Sequence, residues 1–599
     1  MQFKKVFAYV SYGFFQMKTA GLRMTINQGL HWIRNKQSLS YSKWIRKVES
    51  KEYSCKPKEN RKQQVSTYHI IIPICANTDG SIDKNKVSLT VRSVYAQEEN
   101  SAIKISLWLF DTKEEERIWC NEQFAKKRNI RIYTYESRKL STYWTTFLTS
   151  NKEDYIAIIP VGDQLRKQAF LRIRNWLKNK PDYDMIYTDE DYRDHKGQRF
   201  APVWKPDWSP DLLMNTPYCI HLCLYRRTIL EKINWETFEG LNTWEYEIAL
   251  RVTEETNRIA HVPEILYHHG KSTEMEDKQN YQSIRRKAIT RRGQRGSIEE
   301  QGVYYILDSK PLVSIILLSK DNDKLLIQCL ESILRLTTYP NLEIIIIDNG
   351  SGEVTRKRIN TWLSSNDRRQ ENRRASGQKV AIHYEIHPMA FNYSSLCNLG
   401  VNKAKGVYII FLNDDIQVIT TDWIERLIGH ASLSYVGAVG AKLLYPETKL
   451  IQHMGIINLA AGPAHIMQGK RKEDSVLDTR NYLAVTGACL AIARERFYEV
   501  HGFSENYACA WNDVDLCLKL YERGYYNVVR NDVELIHYEA YTRKNECLDH
   551  RKLLRLEYDK RRLYKNHPIL KETDPFYNRN LNQHRTDFSL GYGGSVLNR

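Results

Sequence analysis

Apolar runs of five to nine residues recur along the chain, each closed by polar or turn-forming residues. Tyr68-His-Ile-Ile-Ile-Pro-Ile74 and Ile103-Lys-Ile-Ser-Leu-Trp-Leu-Phe-Asp111 flank a helix-like stretch over 87–96. Leu312-Val-Ser-Ile-Ile-Leu-Leu318 and Leu342-Glu-Ile-Ile-Ile-Ile-Asp348 flank another that ends near Leu336. Strands that are apolar on both faces and alternate with amphipathic helices predict a parallel sheet covered on both sides. The chain is therefore expected to be α/β.

The same order of elements occurs twice. Tyr155-Ile-Ala-Ile-Ile-Pro-Val-Gly-Asp163 lines up with Tyr408-Ile-Ile-Phe-Leu-Asn-Asp-Asp415, and Trp244-Glu-Tyr-Glu-Ile-Ala-Leu-Arg251 with Asn512-Asp-Val-Asp-Leu-Cys-Leu-Lys519. Each copy closes on a strand-like run ending in histidine, His261-Val-Pro-Glu-Ile-Leu-Tyr-His268 and Val533-Glu-Leu-Ile-His537. Order and spacing kept over more than two hundred residues indicate duplication. The expected division is an extension over 1–66, a first domain over 67–300, a second over 308–545 and a basic tail over 546–599. Residues 364–378, polar and Arg-rich, read as a surface loop.

Composition narrows the class. At 599 residues the chain is too long for one core. No apolar window is long enough to span a bilayer and no cleavable leader is evident, so the chain reads as unsecreted and cytoplasmic. Eleven irregularly spaced cysteines without a Cys-x-x-Cys pair read as reduced thiols. Of the formal net charge of +18, the first 66 residues supply fourteen Lys and Arg against three acids, a net +11. Phe3, Phe7, Phe14, Trp32 and Trp44 interleave with these charges. A basic aromatic helix fits peripheral contact with an anionic membrane, and a solvated extension packed on the first domain fits equally well. A second basic patch runs from Arg543 to Lys565. Nucleic acid is excluded as a partner for want of zinc spacing, a recognition helix or a stacking platform. Nicotinamide and ATP chemistry are excluded because neither Gly-x-Gly-x-x-Gly nor a phosphate loop occurs.

The second copy concentrates candidate chemistry at strand ends. Asp414 and Asp415 close the run Val407–Asn413, where the edge of a parallel sheet delivers carboxylates to a hard divalent cation and the diphosphate it carries. Asp348, before Asn-Gly-Ser, is expected to expose its carboxylate to a base or ribose. Ser319 and Asp321, with Lys320 between them, follow the opening strand at the same edge, and Asn398 could present an amide to the nucleotide. Of Asp513 and Asp515, one is expected to cap the helix after Trp511 and the other to act as a general base. Trp511 and Asn512 are expected to contact the acceptor. His537 could complete the cation's shell.

The ordered set Asp348-Asn-Gly-Ser, Leu412-Asn-Asp-Asp, Thr486-Gly-Ala-Cys-Leu490, Gly502-Phe-Ser-Glu505 and Asn512-Asp-Val-Asp-Leu-Cys-Leu518 resembles family 2 inverting glycosyltransferases of GT-A fold, notably the rhamnosyltransferase-like enzymes of bacterial surface-polysaccharide synthesis. Tyr187-Thr-Asp-Glu-Asp191 and Phe200-Ala-Pro-Val-Trp-Lys-Pro-Asp-Trp-Ser-Pro-Asp-Leu-Leu213 resemble large tandem-domain members. The resemblance implies two tandem GT-A (Rossmann-like) domains flanked by a basic helical N-terminal extension and a helical C-terminal tail. It implies that Asp348 contacts the base, Asp415 and His537 bind Mn²⁺ or Mg²⁺, and Asp513 is the catalytic base. The implied reaction moves rhamnose or a hexose from a donor such as dTDP-rhamnose or a UDP-sugar to a growing surface glycan. The alternative is a catalytically silent carbohydrate-binding scaffold of the same pathway. Asn413 replaces the motif's first acid. The first copy departs further, with Pro160, Val161 and Gly162 before Asp163, and Glu245 and Glu247 in place of aspartates, so it is expected to be weak or inactive.

Overall fold

The computed structural model describes residues 38–51, 66–97, 102–178, 182–270 (apart from Thr237, Glu239 and Asn242), 278–372, 380–474, 478–538 and 550–591. It separates into two compact units, one of residues 39–209 and 216–294, the other containing 210–215 and 295–599. Each holds one large mixed sheet flanked by helices, the tandem GT-A arrangement expected from sequence.

The two sheets repeat one plan. In the first unit the order is Ile130–Tyr135, Ile103–Phe110, Tyr68–Cys75, Tyr155–Ile158, Leu224–Arg226, Met185–Arg193, Ile259–His269 and Gln164–Leu165. In the second it is Ala381–Ile386, Leu342–Asp348, Val313–Ser319, Tyr408–Asn413, Cys489–Ala493, Val436–Leu444, Tyr526–His537 and Ile416–Val418. The first four strands of each run parallel and the fifth antiparallel. The apolar runs exist because both faces are covered: Ile315, Leu317, Ile344, Ile345, Ile346 and Ile347 are essentially inaccessible. Helices fall where the periodicity put them, at Lys84–Tyr95 behind an Asp83 cap and at Asp323–Leu336.

The shared plan sets up a residue-by-residue comparison. In the second unit the short strand after the paired acids places Ile416 opposite His537, and in the first the equivalent strand after Asp163 places Gln164 opposite His268. Asp415 and His537 of one unit thus stand where Asp163 and His268 stand in the other.

One expectation needs amendment. The polar stretch from Ser364 does not begin a loop, because the helix Glu353–Asn372 runs through it, and the rest of that stretch lies outside the described residues. The basic extension likewise lies largely outside them. What is described of it, Leu39 to Lys51, packs on the first unit: Trp44 is buried against Trp204, and Glu49 pairs with Arg166 and Arg199. The tail forms a helix, His550–Asn566, on which Arg555 and Arg561 are exposed, while Arg543 lies outside the described residues. The nine described cysteines are free thiols.

A buried pair in the first unit makes its stability pH-dependent. His69 Nδ1 lies 3.0 Å from Glu153 Oε2, and its Nε2 lies 2.7 Å from Ser106 Oγ. The His69 hydrogen bond, opposed by burial and aided by Lys104, brings Glu153 down from 4.5 to about 2. A carboxyl depressed on folding contributes stability that is present above its unfolded pKa and is lost as pH falls through the folded one. Glu153→Gln is therefore expected to cost about 1–3 kcal/mol at neutral pH and to flatten the acid limb between about pH 4.5 and 2, read by thermal melts across that range.

Candidate functional site

Adjacent parallel strands bring the site together. Leu318 pairs with Asn413, so the residues just beyond both strand ends emerge side by side. Ser319 Oγ donates to Asp414 Oδ2 at 2.7 Å. Burial, reinforced by the neighbouring Asp415 and opposed by the Ser319 hydrogen bond, lifts Asp414 to about 7. Asp415, 6% exposed, carries its Oδ1 3.1 Å from His537 Nε2, and that oxygen accepts no hydrogen bond. Asn413 Nδ2 lies 3.3 Å from the same His537 nitrogen. His537 Nε2 has one lone pair for two neighbours: it can accept the Asn413 amide N–H, or it can carry a proton or ligate a cation shared with Asp415 Oδ1.

The helix Asn512–Glu522 contributes the opposite chemistry. Trp511 enters it with φ +65°, and Asn512 Oδ1 accepts the Asp513 N–H at 2.8 Å. Asp513 is then fixed by two backbone donors, Val514 N–H to Oδ1 and Gly487 N–H to Oδ2, both at 2.9 Å. A Cβ added at Gly487 would lie 3.1 Å from Tyr393 Oη, so the tyrosine hydroxyl would have to give by a few tenths of an ångström. Asp515 turns away and pairs with His567 at 3.0 Å and Lys519 at 3.3 Å. This separates the two acids: Asp515 is structural, and Asp513 faces the cavity.

A single cavity of about 530 Å³ is lined by Ser319, Asp414, Asp415, His537, Trp511, Asn512 and Asp513. Three expected site residues do not line it. Asp348 is fully buried rather than exposed; Ser351 N–H donates to its Oδ1 at 2.7 Å and the Tyr384 hydroxyl to its Oδ2, so it closes the Asp-Asn-Gly-Ser turn. Asp321, at φ +51°, accepts the Gly352 N–H at 2.7 Å and braces the same turn. Asn398 spends its amide on Phe503, accepting the N–H at 3.1 Å and donating to the carbonyl at 3.0 Å. In each case a local turn claims the polar group.

Residues missed in the sequence replace them. Asn349 lines the cavity, is 2% exposed, and its Nδ2 has no hydrogen-bond partner. Successive residues at a strand end face opposite ways, so only one of Asp348 and Asn349 could be presented, and the sequence does not reveal which. His453 and His465 also line it, joined through their Nδ1 atoms at 3.0 Å. Thr486 N–H donates to His453 Nε2 at 3.4 Å, which leaves its Nδ1–H to point at His465. Burial, with His465 and His537 beside it, holds His453 well below the usual imidazole range. The available signal was a pair of histidines bracketing the apolar turn Met454–Ala464.

The first unit's equivalents are spent on its own structure. Asp163 is held by the Tyr267 hydroxyl, by Gly270 N–H at 2.9 Å and by His269 Nδ1 at 3.6 Å. Burial would raise it, but His269, Tyr267 and Gly270 outweigh that and leave it below the usual carboxylate range. Glu247, aligned with Asp515, pairs with Arg251 at 2.6 Å, and His268, aligned with His537, pairs with Asp191.

Residues 314–500, which supply most of this cavity, match the sequence model of glycosyl transferase family 2. Residues 314–500 are thus a glycosyl transferase family 2 domain. The chain is 32% identical over 470 residues to the uncharacterized protein y4gI of Sinorhizobium fredii, covering 73% of this chain and 49% of that one. It is 30% identical over 500 residues to the O-antigen biosynthesis protein RfbC of Myxococcus xanthus, covering 78% and 37%. The chain thus spans about half or less of these relatives' length. Among solved structures it is similar to GalNAc-T7 with UDP, GalNAc and Mn²⁺ (TM-score 0.32, 14% identity, 40% of this chain and 45% of that one). It is also similar to the mannosyltransferase PcManGT of Pyrobaculum calidifontis with GDP-Man and Mn²⁺ (0.31, 16%, 44% and 69%). The family assignment rests on the sequence match, and the roles of the cavity residues rest on their chemistry.

Proposed function

We propose that the second domain is a metal-dependent inverting glycosyltransferase, moving a hexosyl or rhamnosyl group from a nucleoside diphosphate donor to a growing cell-surface glycan of O-antigen type. The observation that carries this reading is that Asp415, His537 and Asp513 line one cavity at the carboxyl edge of the family 2 sheet. Asp415 and His537 supply the hard oxygen and imidazole donors suited to Mn²⁺ or Mg²⁺, with Asp414 beside them. The unpaired Asp415 Oδ1 fits that role. When bound, such an ion offsets the charge developing on the departing nucleoside diphosphate. Asp513, oriented by the Gly487 and Val514 amides, takes the proton from the acceptor hydroxyl as that oxygen attacks the anomeric carbon opposite the leaving group. Attack from that side inverts the configuration.

Asn349 offers its unpaired amide to the nucleotide in the role expected of Asp348. Asn349→Ala is expected to raise the donor KM about two- to tenfold with kcat nearly unchanged, as loss of one uniformly used hydrogen bond requires. Steady-state kinetics at saturating acceptor check this. Trp511 presents an aromatic face to the acceptor.

We assign the first domain a non-catalytic part, acceptor binding or scaffolding, because Asp163 and His268, which stand where Asp415 and His537 stand, are consumed internally. Among the described residues no helix is long and apolar enough to cross a membrane. The reading places the reaction in the cytoplasm, with the basic N-terminal extension touching the anionic inner face of the cell membrane. The deciding experiment is nucleotide release from dTDP-rhamnose, UDP-glucose, UDP-galactose and UDP-N-acetylglucosamine, with glycan acceptors and with or without chelator. Chelator-sensitive release from one donor is expected. No release from any of them, together with no donor-induced thermal shift, would establish the silent scaffold instead.

A further inference from the structure

The first unit holds a second group of metal-competent side chains, and it lies outside the chemistry proposed above. Glu190 stands on the strand Met185–Arg193, His269 at the end of Ile259–His269, and His221 in the turn before Leu224–Arg226. One ligand atom from each lies within 4.8 Å of the others, the one such trio of His, Cys, Asp or Glu among the described residues. His221 Nδ1 is 3.3 Å from Glu190 Oε1, and His269 Nε2 is 3.4 Å from the same oxygen. A tetrahedral ion with ligands at about 2.0–2.1 Å has ligand-to-ligand edges of about 3.3–3.4 Å, so the two edges to Glu190 Oε1 already match a zinc-class centre and the third lies within 4.8 Å.

Two further observations point the same way. His269 is 5% exposed, and its Nε2 makes no close hydrogen bond but faces Glu190 Oε1 at 3.4 Å. Its other nitrogen lies against Asp163, and a carboxylate behind the far nitrogen is the usual way a protein orients a metal-binding histidine. Lys205 Nζ, fully buried, donates to Glu190 Oε2 at 2.6 Å. It pins one carboxylate oxygen and leaves Oε1 to the ion. The lysine also sets the rival arrangement, in which the charge of Glu190 and Asp163 left over after Lys205 is balanced by a proton on His269.

We propose that Glu190, His221 and His269 bind one zinc-class divalent cation that ties three segments of the first unit together. The site is distinct from Asp415 and His537 in residues and in metal preference, since two imidazoles and one carboxylate favour Zn²⁺ over Mg²⁺. It is also independent of any transfer activity. Asp163 is a positioning residue for it.

The test uses the full chain, stripped by chelator and dialysed with Zn²⁺ alone, with metal content read by mass spectrometry and unfolding by thermal melt. The expected result is one tightly held equivalent that raises a melting transition, persists in Asp415→Ala and disappears in His269→Gln. Cobalt substitution should give the visible absorption of a tetrahedral centre in the wild type. Stripped wild-type protein that takes up no zinc and melts identically with and without it would overturn the proposal and leave the proton on His269 as the balancing charge. Zinc lost from Asp415→Ala but retained by His269→Gln would overturn it too. The wild-type measurement decides even if the variant fails to fold.

Discussion

Asp513→Asn is expected to lower kcat by about 10²–10⁴-fold, the range by which a positioned general base accelerates a step, while the donor KM stays within about twofold. The split follows from the geometry. Asp513 shares its cavity with Asp415 and His537 but lies on a different element, the first turn of the helix after Trp511, so its loss removes proton transfer without removing the donors for a cation. The substitution is not silent locally. Both carboxylate oxygens accept backbone N–H groups, and an amide presents a donor to one of them. Asp513→Glu controls for this: it restores a carboxylate but moves it by one methylene, and a shift near 1 Å costs about a hundredfold. A purely structural role would instead move the melting temperature and both kinetic constants together in both variants. Asp513→Asn also reports on the first domain, because a second working site would sustain transfer, and turnover near wild type would refute either the base assignment or the first domain's silence.

The fold was legible to the extent that burial imposed it. Strands such as Leu342–Asp348 had to be apolar throughout because helices cover both faces, and that pattern survives in the sequence without any structure. The duplication was legible for the same reason, and the matching strand orders follow from it. The acids were legible where a strand ends on them. What the sequence withheld was direction. A single turn of the backbone buries Asp348 and places Asn349 in the cavity, and Asn398 is drawn to the Gly502–Phe503 turn by a contact more than a hundred residues away in sequence. His453 and His465 meet only because a hairpin folds one onto the other, a pairing that no periodicity encodes. The helix Glu353–Asn372 continues into the polar stretch because polarity alone does not mark a loop: Arg, Gln and Glu are good helix formers.

Asp415→Ala should be the most damaging change for substrate capture, lowering kcat/KM by more than about 10²-fold and raising the metal concentration needed for half-maximal activity by about 10–100-fold. The side chain can be removed without unpicking the sheet, since the Asp415 carbonyl still accepts the Tyr538 N–H at 3.0 Å and Ile416 still pairs with His537. What disappears is the buried oxygen 3.1 Å from His537 Nε2. His537→Ala should be milder, because Asp414 and Asp415 keep two carboxylates at the strand end while only a neutral donor is lost. The ranking separates metal binding from a plain ion pair. If Asp415 and His537 merely stabilised each other, the two variants would be equally harmful, neither would change the metal requirement, and excess Mn²⁺ would rescue neither. If they share a cation, excess Mn²⁺ should recover much of the activity of His537→Ala and little of that of Asp415→Ala, and a metal titration of the three proteins side by side distinguishes the cases.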